Sequence, residues 1–319
     1  MYWPRPLIQA IETSELKNDG KGWCIGSDFP AKLYLDYTFN TMKILGNERP
    51  LFSYQFLVET AHDDLNGGKR VDKYFHDFFT KMERDGILNN TAVFFISDHG
   101  FRFGDFRETE LGRYEDMLPF GFVLMPDWYY ERYPTAQKNI QANSRKLVTV
   151  FDLHATLLEL ADPWSESRVI QTANGYSLLG KRIPGDRSCS DAGVNRQFCT
   201  CFESQPIDTK SNLSLSLAEF AIGRLNHEIV ERYNASAKCR YWSLDGVSDF
   251  VRFSEGDEWT DFFKATIKTD PPAQFEVAVQ LLRPNLDWRL LSDIDRTDWF
   301  SSHAQCVKGE PYERYCYCK

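Results

Sequence analysis

The sequence predicts an α/β protein whose mostly parallel sheet is flanked by helices, followed by a smaller α+β region that contains most of the cysteines. Apolar strand-like segments alternate with segments of helical periodicity through the first half of the chain. This alternation weakens in the second half, where every cysteine except Cys24 lies from Cys189 onward. We therefore expect a core domain over residues 1–185, a cysteine-rich connector over 186–206 and a small C-terminal domain over 207–319.

Periodicity and turn residues define the individual elements of the predicted core. Apolar residues at helical spacing indicate helices, while short apolar or β-branched runs that end in polar turn residues indicate buried strands. In chain order, the predicted elements are a helix over Pro6–Lys17, a helix over Ala31–Leu45, a strand over Leu51–Val58, a helix over Val71–Asp85, strands over Thr91–Ile96 and Phe120–Leu124, and a helix over Asp152–Leu160. Strands separated by helices favour parallel pairing, because a helical crossover lets the next strand run in the same direction.

The chain after the core has a different pattern. A loop around Gly175–Gly180 is followed by the connector and then by a predicted helix over Leu215–Arg232. Shorter segments with alternating polar and apolar residues, Tyr241–Phe253 and Phe275–Leu282, predict strands. A helix followed by strands and by a cluster of cysteines predicts a small α+β domain closed by disulfides.

Composition excludes several classes of protein. Apolar residues make up 42% and charged residues 26% of the chain, as in ordinary folded proteins. The net charge is −9, so the chain is not expected to bind nucleic acid by neutralising phosphates. No apolar run approaches the roughly 20 residues that a membrane-spanning helix needs, so no membrane segment is expected.

The cysteines predict disulfides. The 8 cysteines do not form paired Cys-x2-Cys motifs at zinc spacing, and their even number favours bridges in an oxidising compartment. Short loops are expected from Cys189 to Cys199 or Cys201, and from Cys306 to Cys316 or Cys318, while the full connectivity stays open. The candidates for disulfides are Cys189, Cys199, Cys201, Cys239, Cys306, Cys316 and Cys318.

N-glycosylation sequons point to the same compartment. They begin at Asn89, Asn212 and Asn234. The chain opens with Met-Tyr-Trp-Pro-Arg-Pro, which has neither the apolar segment nor the cleavage pattern of a signal peptide. We therefore expect an extracellular or secretory protein whose beginning is missing from this sequence.

Polar residues follow two predicted strands at the position where open α/β sheets bind their ligands. His62, Asp63 and Asp64 follow the first strand, and Asp98 and His99 follow the second. An adjacent carboxylate and imidazole can offer an oxygen and a nitrogen to one divalent cation. Zinc, calcium, magnesium and manganese are all compatible, with zinc and calcium as the first candidates. The alternative is that Asp98 and His99 only begin a polar loop.

Five short motifs follow one another between residues 86 and 180. They are G-x-x-x-N-T at Gly86–Thr91, S-D-H-G at Ser97–Gly100, Y-E…P at Tyr114–Pro119, a helix ending in T-L-L-x-L at Asp152–Leu160, and G-x-S-L-L at Gly175–Gly180. In their order and spacing they resemble the C-terminal part of the core of the sulfatase and alkaline phosphatase superfamily. The resemblance implies that residues 1–185 form only a portion of that core.

Three further segments are similar to a sulfatase-like animal family called domain of unknown function 229. The segments are Ala61–Asp64, Asp98–Phe103 and Cys189–Cys201, the last of which ends in Cys-Thr-Cys. The resemblance covers most of residues 2–205, and it implies an extracellular setting.

The resemblance implies roles for particular residues. Asp98 and His99 would bind a catalytic divalent metal. His62 would bind substrate or metal in the preceding loop, with Asp63 and Asp64 as helpers. Such a metal would polarise a phosphoryl or sulfuryl oxygen of an anionic ester substrate.

Two arginines lie just after the metal pair. Arg102 and Arg107 are candidates for holding the anionic ester group, because a guanidinium pairs well with phosphate or sulfate oxygens. The alternative is that both are solvated loop arginines.

The rest of the catalytic machinery is not found, so no catalytic residue is assigned. Relatives use a Ser, Thr or Cys nucleophile at a helix N-terminus, and sulfatases mark theirs by Cys or Ser followed by x-Pro-x-Arg. The first 50 residues contain no such pattern, since Cys24 is followed by Ile-Gly-Ser. The sequence therefore predicts a metal-dependent phosphate- or sulfate-ester hydrolase scaffold that is inactive as this chain. The alternative is a secreted non-catalytic binding or structural protein on the same scaffold.

Overall fold

A computed structural model describes residues 4–19, 24–46, 48–58, 61–62, 64–161, 170–254 and 259–319. The chain divides into two compact units. The first unit comprises Met1–Ile96 and Phe120–Tyr133, and the second comprises Ser97–Pro119 and Pro134–Lys319. The domain boundaries expected at residues 185 and 206 stay predictions.

The described residues form helices and strands in both units. The helices are α1 (Arg5–Glu12), α2 (Glu15–Asp19), α3 (Pro30–Leu45), α4 (Gly67–Arg84), α5 (Glu110–Met117), α6 (Asp127–Arg132), α7 (Pro134–Asn143), α8 (Val150–Ala161) and α9 (Asn212–His227). The strands are β1 (Val93–Ile96), β2 (Gly121–Leu124), β3 (Ser204–Pro206), β4 (Ser243–Phe253), β5 (Thr260–Asp270), β6 (Ala273–Leu282), β7 (Asp287–Leu290) and β8 (Asp295–Arg296). A π-helical turn over Glu228–Arg232 extends α9.

Helical periodicity located the longer helices correctly. The helices expected over 31–45, 71–85 and 152–160 correspond to α3, α4 and α8. The helix expected over 6–17 is divided into α1 and α2, because two hydroxyls bond back to carbonyl oxygens of α1. The Thr13 Oγ1 donates to the carbonyl of Gln9 at 2.9 Å, and the Ser14 Oγ donates to that of Ile11 at 2.6 Å.

In the first unit, α4 contacts both α3 and the small sheet. The Lys81 ammonium pairs with the Asp36 carboxylate across α3 and α4 at 3.0 Å. On another face of α4, the ring of Phe75 lies 5.1 Å from the ring of Phe95 in β1. The aromatic residues of α4 thus cover β1, as the amphipathic pattern of this helix requires.

The strand predicted over Leu51–Val58 is wrong. No strand is assigned among the described residues 48–58, and Phe52 and Tyr54 are 77% and 71% exposed. A buried strand needs paired neighbours and covered faces. In the part of the first unit that the structure describes, only β1 and β2 form a sheet, so apolar character alone does not make this segment a strand.

The prediction of a mostly parallel sheet is also wrong, because every pairing between the described strands is antiparallel. In the small sheet, Val93 pairs with Leu124 and Ile96 pairs with Gly121. The connection between β1 and β2 contains a helix, but it folds back on itself. Near its two ends the Gly100 N–H donates to the carbonyl of Asp116 at 3.1 Å. The chain therefore returns to the end of β1 that it left.

The larger sheet belongs to the second unit and is joined largely by short turns. Its strands are ordered β3-β4-β5-β6-β7, and β8 also pairs with β6. Parallel neighbours would need long crossovers, whereas only residues 271 and 272 separate β5 from β6. Strand β5 was missed by the sequence analysis, although its neighbours β4 and β6 correspond to the predicted segments.

The core of the second unit lies between α9 and one face of this sheet. Leu217, Ala221 and Leu225 of α9 belong, together with Phe275 and Val277 of β6, to one cluster of buried apolar residues. Alternation along a strand places neighbouring residues on opposite faces. Phe263, Ala265 and Ile267 of β5 belong to the same cluster. The residues that alternate with the cluster residues in β5 and β6 therefore face away from α9, and they include the charged groups described below.

Three disulfides close the second unit within the described residues. They join Cys189 to Cys199, Cys239 to Cys316 and Cys306 to Cys318. Two of them are short local loops of the kind expected from the spacing. Cys239 and Cys316 are fully buried in the apolar cluster, so this bridge is part of the core.

None of the helices in the described part of the chain combines the length and the apolar character that crossing a bilayer requires.

We predict that the core disulfide contributes more stability than the peripheral one. The Cys239–Cys316 bridge spans 77 residues and the Cys306–Cys318 bridge spans 12. The loop-entropy relation gives about 4 kcal/mol for the longer loop and about 3 kcal/mol for the shorter one. The double variant Cys239→Ala/Cys316→Ala should therefore unfold at lower urea concentration than Cys306→Ala/Cys318→Ala. Equal midpoints, or the reverse order, would contradict this prediction.

Candidate metal centre

Asp98 and His99 lie together at the start of the loop that follows β1. The Nδ1 of His99 is 2.6 Å from the carbonyl oxygen of Gly100, and its Nε2 is 3.5 Å from Oδ2 of Asp98. Because a carbonyl oxygen only accepts hydrogen bonds, Nδ1 carries the proton in this contact. In the tautomer with its proton on Nδ1, the lone pair of Nε2 is available to a metal, next to a carboxylate oxygen.

The donor pair fits a divalent metal. Ligand atoms at about 2.0–2.1 Å from a tetrahedral zinc are about 3.3 Å apart, close to the 3.5 Å between Nε2 and Oδ2. The Asp98 side chain is 57% exposed and that of His99 is 30% exposed. Within the described residues, the groups with at least three candidate ligand atoms are cysteine clusters. The Asp98–His99 pair therefore offers two of the four donor atoms that a zinc site would need.

The backbone next to the metal pair requires glycine. A Cβ atom on Gly100 would lie 2.0 Å from the carbonyl oxygen of Glu115, closer than any side chain can approach. The Gly100 N–H donates to the carbonyl of Asp116, and its own carbonyl contacts Nδ1 of His99. The close approach of the two ends of the loop thus fixes the carbonyl that orients the His99 ring.

Aromatic packing anchors the next part of the loop. The rings of Phe101 and Phe103 lie 5.8 Å and 5.7 Å from the ring of Trp299. Gly104 has a positive φ of 79°, and a Cβ there would lie 2.5 Å from the Trp299 Nε1. Its N–H donates to the carbonyl of Thr297 at 3.1 Å. The loop is therefore attached to the C-terminal segment by both rings and backbone.

A buried charge network attaches the same loop to the sheet. The Arg107 guanidinium donates to Asp116 at 2.8 Å and to Glu276 of β6 at 2.9 Å. The other oxygen of Glu276 pairs with Lys264 of β5. Arg102 is half exposed and contacts the second oxygen of Asp116 at 3.3 Å. The structure thus places both sequence-predicted arginines in ion pairs, with Arg107 buried and Arg102 at the surface.

Lys264 has an unusual environment for a lysine. Its burial lowers the pKa of the ammonium from 10.5 to about 7, and the positive charges of Arg107 and Arg113 act in the same direction. The carboxylates of Asp116 and Asp249 oppose this effect. Glu276 pairs with both Arg107 and Lys264, so its negative charge is divided between two basic side chains.

Lys264 and Glu276 were missed by the sequence analysis. Each lies within a run of apolar residues that reads as a strand interior, where a charge signals a buried pair or a site. Arg107, which pairs with Glu276, is 169 residues from it in the chain. The sequence therefore showed a charged residue within each strand segment, but it did not show that Glu276 pairs with Arg107.

The remaining candidates from the preceding loop lie in the first unit. His62 is exposed. Asp64 pairs with Arg70, and its Oδ1 accepts the N–H of Asn66 at 2.9 Å, which is the geometry of a polar turn. Asp63 lies outside the described residues. The metal-binding or substrate-binding roles of these residues stay predictions.

The sequon asparagines are accessible. Asn89, Asn212 and Asn234 are all exposed, as a glycosylated asparagine must be. Their modification stays a prediction.

The second unit is a disulfide-closed structure of mixed α and β elements, in which an antiparallel sheet supports a loop with a candidate metal pair. A family model described as protein of unknown function (DUF229) matches residues 2–248, and the chain belongs to this family. No curated protein and no solved structure matches the chain. Lys264 and Glu276 lie beyond the matched residues. Some of the residues that hold the loop after β1 in place are therefore outside the region that the family model matches.

We predict that Lys264 makes the stability of the protein depend on pH. Between pH 7 and pH 10.5 the unfolded chain holds a proton on this lysine that the folded chain has released, so stability rises with pH. From about pH 6 to about pH 9, the free energy of unfolding of the wild type relative to Lys264→Met should rise by about 3 kcal/mol. Urea unfolding at several pH values measures this difference.

The matched control for this experiment is Lys268→Met, an exposed lysine on the same strand. Its difference from the wild type should stay constant over the same pH range. A constant difference for Lys264→Met as well would contradict the lowered pKa.

Proposed function

We propose that this chain carries the metal-binding segment of a metal-dependent phosphate- or sulfate-ester hydrolase scaffold in the secretory pathway or outside the cell. The Asp98–His99 pair supports this proposal most directly. Its imidazole is held in the tautomer that leaves Nε2 free, and a carboxylate oxygen lies 3.5 Å away. Zinc and calcium are the first candidates for the cation.

Asp98 and His99 would have different roles in binding the metal. A bound divalent metal would polarise a phosphoryl or sulfuryl oxygen of the substrate. The Asp98 carboxylate would offset part of the cation's charge, and the contact of His99 with Gly100 would orient the ring.

Arg102 is the better placed of the two arginines for an anionic ester. Its side chain is 50% exposed, whereas Arg107 is 7% exposed and shared between two carboxylates. Asp116 also pairs with Arg107. If Arg102 turned toward a substrate, the Asp116 carboxylate would therefore still have a cationic partner. We assign substrate binding to Arg102 and positioning of the loop to Arg107.

The compartment is supported by the cysteines. Three disulfides are typical of secreted or extracellular proteins and rare in cytosolic ones. The exposed sequon asparagines fit the same compartment.

The first prediction of this proposal concerns metal affinity. Asp98→Asn and His99→Gln should each weaken zinc binding by at least about 10-fold, because each removes one of two ligands. Isothermal titration of the full chain with zinc chloride measures the affinity, and elemental analysis after dialysis measures the zinc content.

The matched control is His76→Gln. His76 and Asp77 are also adjacent and 3.5 Å apart, but they lie on an exposed helix and the Asp77 carboxylate pairs with Lys73 at 2.6 Å. This variant should bind zinc like the wild type. Unchanged zinc binding in both Asp98→Asn and His99→Gln would overturn the metal assignment.

The second prediction concerns turnover. No nucleophile is assigned in this sequence, so the purified chain should not hydrolyse 4-nitrophenyl phosphate or 4-nitrophenyl sulfate above the rate in buffer, with or without zinc or calcium. Release of 4-nitrophenol is followed by absorbance. Metal-dependent hydrolysis that His99→Gln abolishes would show that the chain is a complete enzyme, against this proposal.

A further inference from the structure

Three cysteine sulfurs meet in the segment that precedes the C-terminal sheet. Cys189 and Cys199 form a disulfide and are buried, whereas Cys201 is an exposed free thiol. All three sulfur atoms lie within 4.8 Å of one another. A free thiol next to a disulfide has the components of thiol–disulfide exchange, in which a thiolate attacks one sulfur of a bridge.

We propose that this segment is an internal thiol–disulfide exchange site, with Cys201 as the attacking thiol and Cys189 as the sulfur that both bridges share. The proposal is independent of the metal site and of ester hydrolysis. It assigns two alternative states to the segment, one with a Cys189–Cys199 bridge and one with a Cys189–Cys201 bridge.

The exchange is balanced without any added reagent. The Cys201 thiol loses a proton, and its thiolate attacks Sγ of Cys189. A Cys189–Cys201 bond forms while the Cys189–Cys199 bond breaks, and the electron pair leaves on the sulfur of Cys199, which then takes up a proton. The number of disulfides and of thiols is unchanged, so neither an oxidant nor a reductant is consumed.

Chain geometry favours Cys189 as the sulfur under attack. Attack on Cys199 would join two cysteines separated by Thr200 alone, which is a cramped ring for a bridge of ordinary geometry. Attack on Cys189 closes a loop between residues 189 and 201 instead of one spanning 10 residues. The loop entropies of these two bridges are nearly equal, so neither state is excluded by loop length.

Burial distinguishes the two states chemically. Cys199 is 6% exposed, while Cys201 is exposed. With the Cys189–Cys199 bridge the free thiol is open to solvent and to other thiol reagents. After exchange, the free thiol is the buried Cys199, which is protected from them. The exchange therefore switches the reactivity of the surface without altering the redox state of the protein.

A second group of sulfurs in the same unit provides an internal comparison. Cys306, Cys316 and Cys318 also lie within 4.8 Å of one another. Each of them is in a disulfide, with Cys316 bonded to Cys239. This group has the same crowding but no attacking thiol, so it should keep a single connectivity.

Disulfide mapping of the full chain tests the proposal. The protein is held at about pH 8, where a thiolate is populated, then quenched in acid, unfolded in guanidinium chloride so that the buried Cys199 can react, alkylated with N-ethylmaleimide and digested without reduction. We expect peptides with both the Cys189–Cys199 and the Cys189–Cys201 bridge, carrying label on Cys201 and Cys199 respectively. The group at Cys306 should give one connectivity.

Two variants sharpen the test. Cys199→Ser should form the Cys189–Cys201 bridge, and Cys201→Ser should contain only the Cys189–Cys199 bridge with no label on Cys199. The rate at which the two wild-type species interconvert should not depend on protein concentration, since the attack is intramolecular. Wild-type protein with only the Cys189–Cys199 bridge, or exchange that accelerates with protein concentration, would overturn the proposal.

Discussion

The carboxylate of Glu276 lies between the guanidinium of Arg107 and the amine of Lys264 inside the second unit, and the loop that carries the candidate metal pair depends on it. One oxygen accepts the guanidinium of Arg107 at 2.9 Å, and the other pairs with Lys264. Loss of one partner from a buried ion pair costs roughly 3–5 kcal/mol in proteins, because it leaves an uncompensated charge. The sheet therefore determines where Arg107 lies, and Arg107 in turn contacts Asp116 in the loop.

Backbone contacts connect Asp116 to the imidazole of His99. The carbonyl of Asp116 accepts the N–H of Gly100, and the carbonyl of Gly100 contacts Nδ1 of His99. Each side-chain orientation in this series depends on the one before it. A strand of the C-terminal sheet thus influences which nitrogen of His99 can reach a metal, although strand and histidine are far apart in sequence.

The sequence carried enough information for the features that are local. Helix α4 shows apolar residues at helical spacing, and the Asp98–His99 pair lies directly after a strand with strong β propensity. Leu51–Val58 was misjudged because its apolar residues are exposed, and burial depends on neighbours that periodicity does not reveal. Strand direction was misjudged because it depends on the path of the chain from β1 to β2. This path folds back on itself, and the Gly100 N–H donates to the carbonyl of Asp116 near its two ends. The pairing of Arg107 with Glu276 joins residues too far apart to be inferred from one sequence.

In the proposed metal site, His99 would present Nε2 to the cation, because its Nδ1 contacts the carbonyl oxygen of Gly100 at 2.6 Å. A long-range proton–nitrogen NMR spectrum of the 6 histidines measures this directly. We predict that Nδ1 of His99 carries a proton in the metal-free protein, and that added zinc shifts its Nε2 resonance while the proton on Nδ1 stays in place. Zinc that shifts Nδ1 of His99, or that leaves both of its nitrogens unchanged, would contradict the account.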